Sequence, residues 1–217
     1  MRKNSGIFAS TIGQKLLMAL TGLFLCSFLV VHLLGNLLLF KQDGGVAFNQ
    51  YSEFMSTNVV IRTIEIGLFV ALILHSIVGV RLWLENRKVR SDHYAVNAGS
   101  ETSTVASRIT FLTGSIIFFF LVVHLRTLFF PSRFGATDLN MYDLTVQSLS
   151  NPGYGILYIV AFVLLAYHLR HGFQSAFQTF GIKGKRYEWL IEGIGFLFWF
   201  VIPFGFAAIS IFLLFKS

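Results

Sequence analysis

Charge is what this sequence has least of. Of its 217 residues 12% are charged, against 55% hydrophobic and 16% aromatic, where a soluble domain carries roughly a quarter charged residues. The 17 Lys and Arg and 10 Asp and Glu are too few to cover the surface of a soluble domain, and the mean hydropathy of +0.70 says that the solvent is lipid. Cysteine is almost missing too. Cys26 stands alone, which excludes a disulfide framework, a Cys-x-x-Cys haem attachment and a Cys-ligated cluster within the chain. Any redox centre here needs other ligands. The net charge of +7 does not point to nucleic acid, because the basic residues punctuate apolar blocks and so orient membrane helices.

What is present is a set of long apolar runs. Crossing about 30 Å of hydrocarbon takes roughly 20 helical residues. Charge-free stretches at 16–40 and 193–215 meet this at once, and three more are bounded by sparse charges, so five helices are expected at about 16–40, 59–84, 106–130, 152–180 and 190–215. The first is too long for the apolar part of a secretory signal and has no small-residue cleavage pattern. The fold class is therefore an all-α integral membrane protein, one membrane domain over 1–217. Lys41-Gln-Asp-Gly-Gly and Ser150-Asn-Pro-Gly supply turn and helix-start chemistry, with Asn151 or Ser150 as cap and Pro152 in the first turn.

Basic residues divide unequally between the two ends of these helices. One end has Arg2, Lys3, Lys15, Arg81, Arg87, Lys88, Arg90, Arg108, Lys183, Lys185 and Arg186; the other has Lys41, Arg62, Arg126, Arg133 and Lys216. By the positive-inside rule the N-terminus lies in the cytoplasm and the C-terminus outside. The basic face is also a candidate docking surface for a soluble partner.

The chain repeats itself. Leu20-Thr-Gly-Leu-Phe-Leu-Cys-Ser-Phe-Leu-Val-Val-His32-Leu33 matches Leu112-Thr-Gly-Ser-Ile-Ile-Phe-Phe-Phe-Leu-Val-Val-His124-Leu125 at nine of fourteen positions. A fainter match, at a spacing of 93 residues, relates Ile66, Phe69, Val70, Leu72, His75 and Gly79 to Ile159, Phe162, Val163, Leu165, His168 and Gly172. Helices one to four thus read as a duplicated two-helix unit, with a fifth helix added.

Each helix of that unit carries one histidine deep in apolar sequence, where an ionisable side chain is costly and marks a functional site by default. Helices one and three run the same way and carry His32 and His124 late. Helices two and four run back and carry His75 and His168 nearer the basic end. At 1.5 Å rise per residue the two levels lie roughly 10 Å apart. Two facing imidazoles at each of two levels is the arrangement that holds two b-type haems with both axial positions filled by histidine. A single zinc or copper site needs all four histidines at one level, which this spacing disfavours. Gly79 and Gly172 lie one turn beyond their histidines, where a flat macrocycle needs clear backbone; Gly35 follows His32 by three, for clearance or for helix packing. No methionine lies at ligand depth except Met18, at the wrong end of helix one. His171, three residues from His168, is the alternative fourth ligand, and His93 sits in a polar loop.

These residues give the chain its likeness to a known family. Val-Val-His32-Leu-Leu-Gly-Asn, Leu-His75-Ser-Ile-Val-Gly-Val-Arg81, Val-Val-His124-Leu and His168-Leu-Arg-His-Gly-Phe-Gln-Ser-Ala-Phe-Gln-Thr-Phe-Gly181 resemble the di-haem cytochrome b membrane-anchor subunit of succinate dehydrogenases and fumarate reductases, in the class with a single five-helix anchor. The resemblance implies two haem b groups, His75 with His168 near the soluble subunits and His32 with His124 far from them. It also implies a flavoprotein and an iron-sulfur partner on the cytoplasmic face, a membrane quinone with menaquinone the expected one, and a place in the bacterial cytoplasmic membrane. An acid is expected beside the quinone headgroup, and Glu53 and Glu65 are the acids at the outer start of helix two; an Arg62–Glu65 ion pair is the plainer reading of the second. Arg81 is a candidate partner for a haem propionate or a solvent-facing topology charge. The membrane acid that some fumarate reductases place two residues before the fourth ligand is Ala166 here. Two readings compete with this one: the cytochrome b subunit of a hydrogenase or formate dehydrogenase, and a haem-free transporter that relays protons through its histidines.

Overall fold

The computed structural model describes residues 10–90, 105–135, 137–182, 184 and 186–216, with side chains left out at 88–90 and 105–108. Arg2, Lys3, His93, Lys183 and Lys185, and the side chains of Lys88, Arg90 and Arg108, lie outside the described residues.

Five helices are long and apolar enough to cross a membrane: Thr11–Phe40, Val59–Arg87, Ile109–Phe134, Pro152–Thr179 and Glu188–Leu214. They are built from α1 (Thr11–Asn36), α3 (Val59–Arg90), α4 (Val105–His124), α6 (Pro152–Thr179), and α7 (Glu188–Phe196) with α8 (Ile202–Leu214). Two shorter helices, α2 (Val46–Thr57) and α5 (Met141–Ser150), lie in connections at the end opposite the basic one. Large apolar side chains such as Phe24, Val70, Phe119, Val163 and Phe204 are exposed along the spans, the surface that lipid covers.

Side-chain caps set the helix starts. Ser10 accepts from the Gly13 amide (3.1 Å), Asn58 from Val60 (3.0 Å) and Asn140 from Asp143 (2.9 Å), each satisfying an amide that the helix itself leaves unpaired. At α6 the cap is Asn151, accepting from Gly153 at 2.9 Å with Pro152 in the first turn, while Ser150 donates to the Leu213 carbonyl at 3.1 Å. Ahead of α2 the Asp43 carboxylate accepts from Gly45 and Ala47, each at 3.0 Å. The Ala47 amide first, then that of Gly45, holds this carboxyl below its usual range.

The third and fifth spans each contain one wide turn. π-Helical turns at Leu125–Phe129 and Leu197–Val201 each end two residues before a proline, Pro131 and Pro203. Proline lacks an amide hydrogen and its ring crowds the carbonyl four residues back. In both spans that carbonyl lies inside the wide turn, which makes the room.

α1 packs on α3 and α4 packs on α6, so each repeat unit is a helical pair; α6 also meets α1 and the fifth span. Between the two units α3 approaches α4 through aromatic contacts near its ends: Trp83 stacks on Phe111 at 4.0 Å, and Phe69 meets Phe129 at 5.4 Å. The densest packing, with Leu39, Phe48, Leu144, Tyr158, Ile202 and Leu213 among its members, brings α2 and α5 together with the spans.

Those two helices fill the outer connections, where the sequence shows only turn and helix-start residues. Glu53 belongs to α2, a separate helix, and not to the start of the second span. The Asn58 cap breaks the chain between them. α2 is held at its base by the Tyr142 amide, which donates to Asn49 at 2.9 Å, and along its side by Tyr51, whose ring packs directly on Gly35. The approach of Tyr51 leaves no room for a side chain at Gly35, which makes that glycine a helix-packing residue; partial burial pushes the Tyr51 phenol above its ordinary pKa.

Candidate functional site

A cavity of about 1530 Å³ runs between the two repeat units, beyond the ~300–1,000 Å³ usual for a pocket holding one small ligand. His32, His75, His124, His168 and His171 all line it. The four histidines singled out by the repeat are half-buried.

The imidazoles stand in two facing pairs. His32 and His124 have ring centroids 5.9 Å apart at 88°, and His75 and His168 have theirs 6.3 Å apart at 73°. His171 lines the same cavity one turn from His168, and the ring that faces His75 is that of His168. Among the described residues no three His, Cys, Asp or Glu side chains gather into a cluster able to hold a bare metal ion. The histidines come in twos, fewer than a tetrahedral site takes.

Each imidazole has close neighbours from other helices. His75 Nδ1 lies 3.2 Å from Thr21 Oγ1 on α1, and His124 Nδ1 lies 3.1 Å from the Tyr158 hydroxyl on α6. His32 stacks on Phe28 at 5.0 Å and meets Phe206 at 5.5 Å. A Cβ at Gly22 would lie 3.2 Å from His75 Cε1, and one at Gly114 3.1 Å from His168 Cε1, so the backbone of α1 and of α4 runs directly behind these two rings.

Thr21, Gly22, Gly114 and Tyr158 were missed as functional positions. The Thr-Gly pair was in plain view in the repeat, where it served only as a matching position. Of the two glycines expected to leave clearance, Gly172 faces open space on the cavity wall, while Met18 Cε lies 2.9 Å from where a Cβ of Gly79 would be. Arg81 is exposed on the cavity rim, near Lys15 and Arg87. Neither Glu53 nor Glu65 is on the cavity wall. Glu53 is exposed on α2, and Glu65 makes two 2.8 Å hydrogen bonds to Arg62 Nη1, the ion pair that the sequence offered as the plainer reading.

Residues 84–206 match the family model of the succinate dehydrogenase/fumarate reductase transmembrane subunit. The matched stretch runs from the end of α3 into α8. It takes in His124 and His168; His32 and His75 are their counterparts in the other repeat unit. No curated protein and no solved structure matches the chain. The family match covers more than half of the sequence and takes in three of the five spans that line the cavity, and so the chain belongs to the succinate dehydrogenase/fumarate reductase transmembrane subunit family, a multi-pass membrane anchor of that oxidoreductase complex.

Proposed function

We propose that this chain is the di-haem cytochrome b anchor of its complex, relaying electrons between an iron-sulfur subunit and a membrane quinone. The observation that carries the reading is the pair of facing imidazoles at each of two places on one cavity. An imidazole nitrogen binds a transition metal at about 2 Å and lies about 1 Å from its ring centre, so two rings sharing one metal stand about 6 Å apart. Separations of 5.9 and 6.3 Å fit that requirement. His32 and His124 then hold one haem b and His75 and His168 the other. Held by a histidine on each side, such a haem would pass single electrons and would take no further ligand.

The chain's own residues do the rest. The apolar cavity wall excludes water, Tyr158 orients His124, and Arg81 on the rim is placed to meet a propionate. Glu65 is neutralised by Arg62, which leaves Glu53 as the acid assigned to the quinone side. The iron-sulfur and flavoprotein partners dock at the basic end, the cytoplasmic face of a bacterial membrane, and menaquinone is the expected quinone. The family match favours this complex over a hydrogenase or formate dehydrogenase partner, and paired histidines suit a proton relay less well than a single file would.

A pyridine haemochrome assay on the purified complex tests the reading. Two b haems per chain are expected, with the same one lost in His32→Ala and His124→Ala and the other lost in His75→Ala and His168→Ala. A count of zero or one in the wild type overturns it, as does loss of different haems within a pair.

A further inference from the structure

We infer that Thr21 and Thr113 are positioning residues for His75 and His168: each, with the glycine after it, forms a seat on the first helix of a repeat unit that fixes the tautomer and basicity of the imidazole on the second. The inference rests on the haem reading above and goes beyond it by naming what tunes one haem and not the other.

The argument begins with one proton. Thr21 is buried, 8% exposed, and its hydroxyl lies 2.7 Å from the Leu17 carbonyl and 3.2 Å from that of Met18. A carbonyl only accepts, and a hydroxyl has a single hydrogen to donate. That hydrogen is committed to the helix backbone. The 3.2 Å contact between Thr21 Oγ1 and His75 Nδ1 therefore works as a hydrogen bond only if the imidazole donates. His75 then carries its proton on Nδ1 and its lone pair on Nε2, the form that a metal ligand needs.

The second repeat unit builds the same seat. Thr113 is 2% exposed, and its hydroxyl donates to the Thr110 carbonyl at 3.1 Å. A Cβ at Gly22 would stand 3.2 and 3.6 Å from Cε1 and Nδ1 of His75, and a Cβ at Gly114 would stand 3.1 and 3.5 Å from the same atoms of His168. The two rings thus stand off their glycines alike to 0.1 Å. His168 Nδ1 is buried and makes no hydrogen bond of ordinary length and angle, although the Thr110 carbonyl lies toward it. A buried ring nitrogen of this kind calls for an acceptor, and the Thr113 hydroxyl, the repeat's equivalent of Thr21, is the group assigned to it here.

The chemical consequence is a shift in redox balance. An Nδ1 proton held by an oxygen acceptor leaves Nε2 more electron-rich, and an electron-rich axial ligand favours the ferric state and lowers the reduction potential. With both imidazoles seated in this way, the His75–His168 haem is held low by its ligands. The His32–His124 pair has no Thr-Gly seat behind it.

The test is an optical redox titration of the purified complex carrying Thr21→Val, Thr113→Val, or both, with Thr21→Ser as the conservative partner. The wild-type haem count comes first: two haems uphold the parent reading, and none removes it together with this inference. In each valine variant two haems should remain. The potential of the haem that His75→Ala abolishes should move upward, further in the double variant, while the other stays put and Thr21→Ser behaves as wild type. Unchanged potentials in both valine variants with two haems bound overturn the inference and leave the parent reading intact. If a valine variant loses the haem outright, Thr21→Ser decides: retention at the wild-type potential supports the seat, and loss there too makes the position a matter of packing.

Discussion

The two histidine pairs come from one duplicated unit, yet their surroundings have parted. At the His75–His168 pair the copies are alike in backbone: the glycine of a Thr-Gly dipeptide lies behind each ring at matching distances. At the His32–His124 pair they differ. His124 has the Tyr158 hydroxyl at 3.1 Å, and at the spacing of 93 that relates α3 to α6 the counterpart of Tyr158 is Glu65. Glu65 turns to Arg62, and His32 is bounded by the rings of Phe28 and Phe206. A duplication puts histidines at equivalent depths in both halves because depth follows position along a helix. What each histidine touches depends on single side chains, as the difference between Tyr158 and Glu65 shows.

Three variants and one control sharpen this contrast. The largest effect is expected from Gly114→Ala, which places a methyl 3.1 Å from His168 Cε1, tighter than ordinary contact. Overpacking of this kind costs about 1–3 kcal/mol, so the thermal midpoint of the complex should fall and the haem shared by His75 and His168 should be depleted or shifted. Gly67→Ala, where a Cβ meets nothing within 4 Å, should leave both haems and the midpoint as they are. A next, smaller effect is expected from Tyr158→Phe. It removes the hydroxyl beside His124 from a residue only 3% exposed, at a cost of about 1–3 kcal/mol for the buried group left unpaired. Redox titration should show the His32–His124 haem moving alone, and movement of the other haem would break the separation of the two pairs. The smallest effect belongs to Arg62→Gln. The Arg62 and Glu65 side chains remain 34% and 24% exposed, so losing the pair should cost about 0.2–1 kcal/mol with neither haem spectrum altered.

The spans were legible from sequence because length and apolar character are local properties, and a run of twenty apolar residues has few alternatives in a bilayer. The histidines were legible because an ionisable side chain in such a run is conspicuous, and counting residues along antiparallel helices already grouped them by depth. α2 and α5 were not legible. They are short, mixed in polarity and bounded by turn residues, so from sequence Asp43 read as part of a turn, when its carboxylate accepts from the Gly45 and Ala47 amides at the start of α2. Glu53, expected at the outer start of the second span, lies on α2 for the same reason. The π turns escaped as well, since a proline in an apolar run announces a disturbance without saying that the ladder widens ahead of it.

The sequence by itself determined the lipid environment, the five spans, the duplication and the depth of each histidine, since all four depend on neighbours close along the chain. Only the tertiary structure decided which nitrogen of an imidazole is engaged, which glycine lies behind a ring and which acid is neutralised. Thr21 meets His75 across 54 residues and Tyr158 meets His124 across 34; contacts of that range, at hydrogen-bond precision, exist only after the helices have packed.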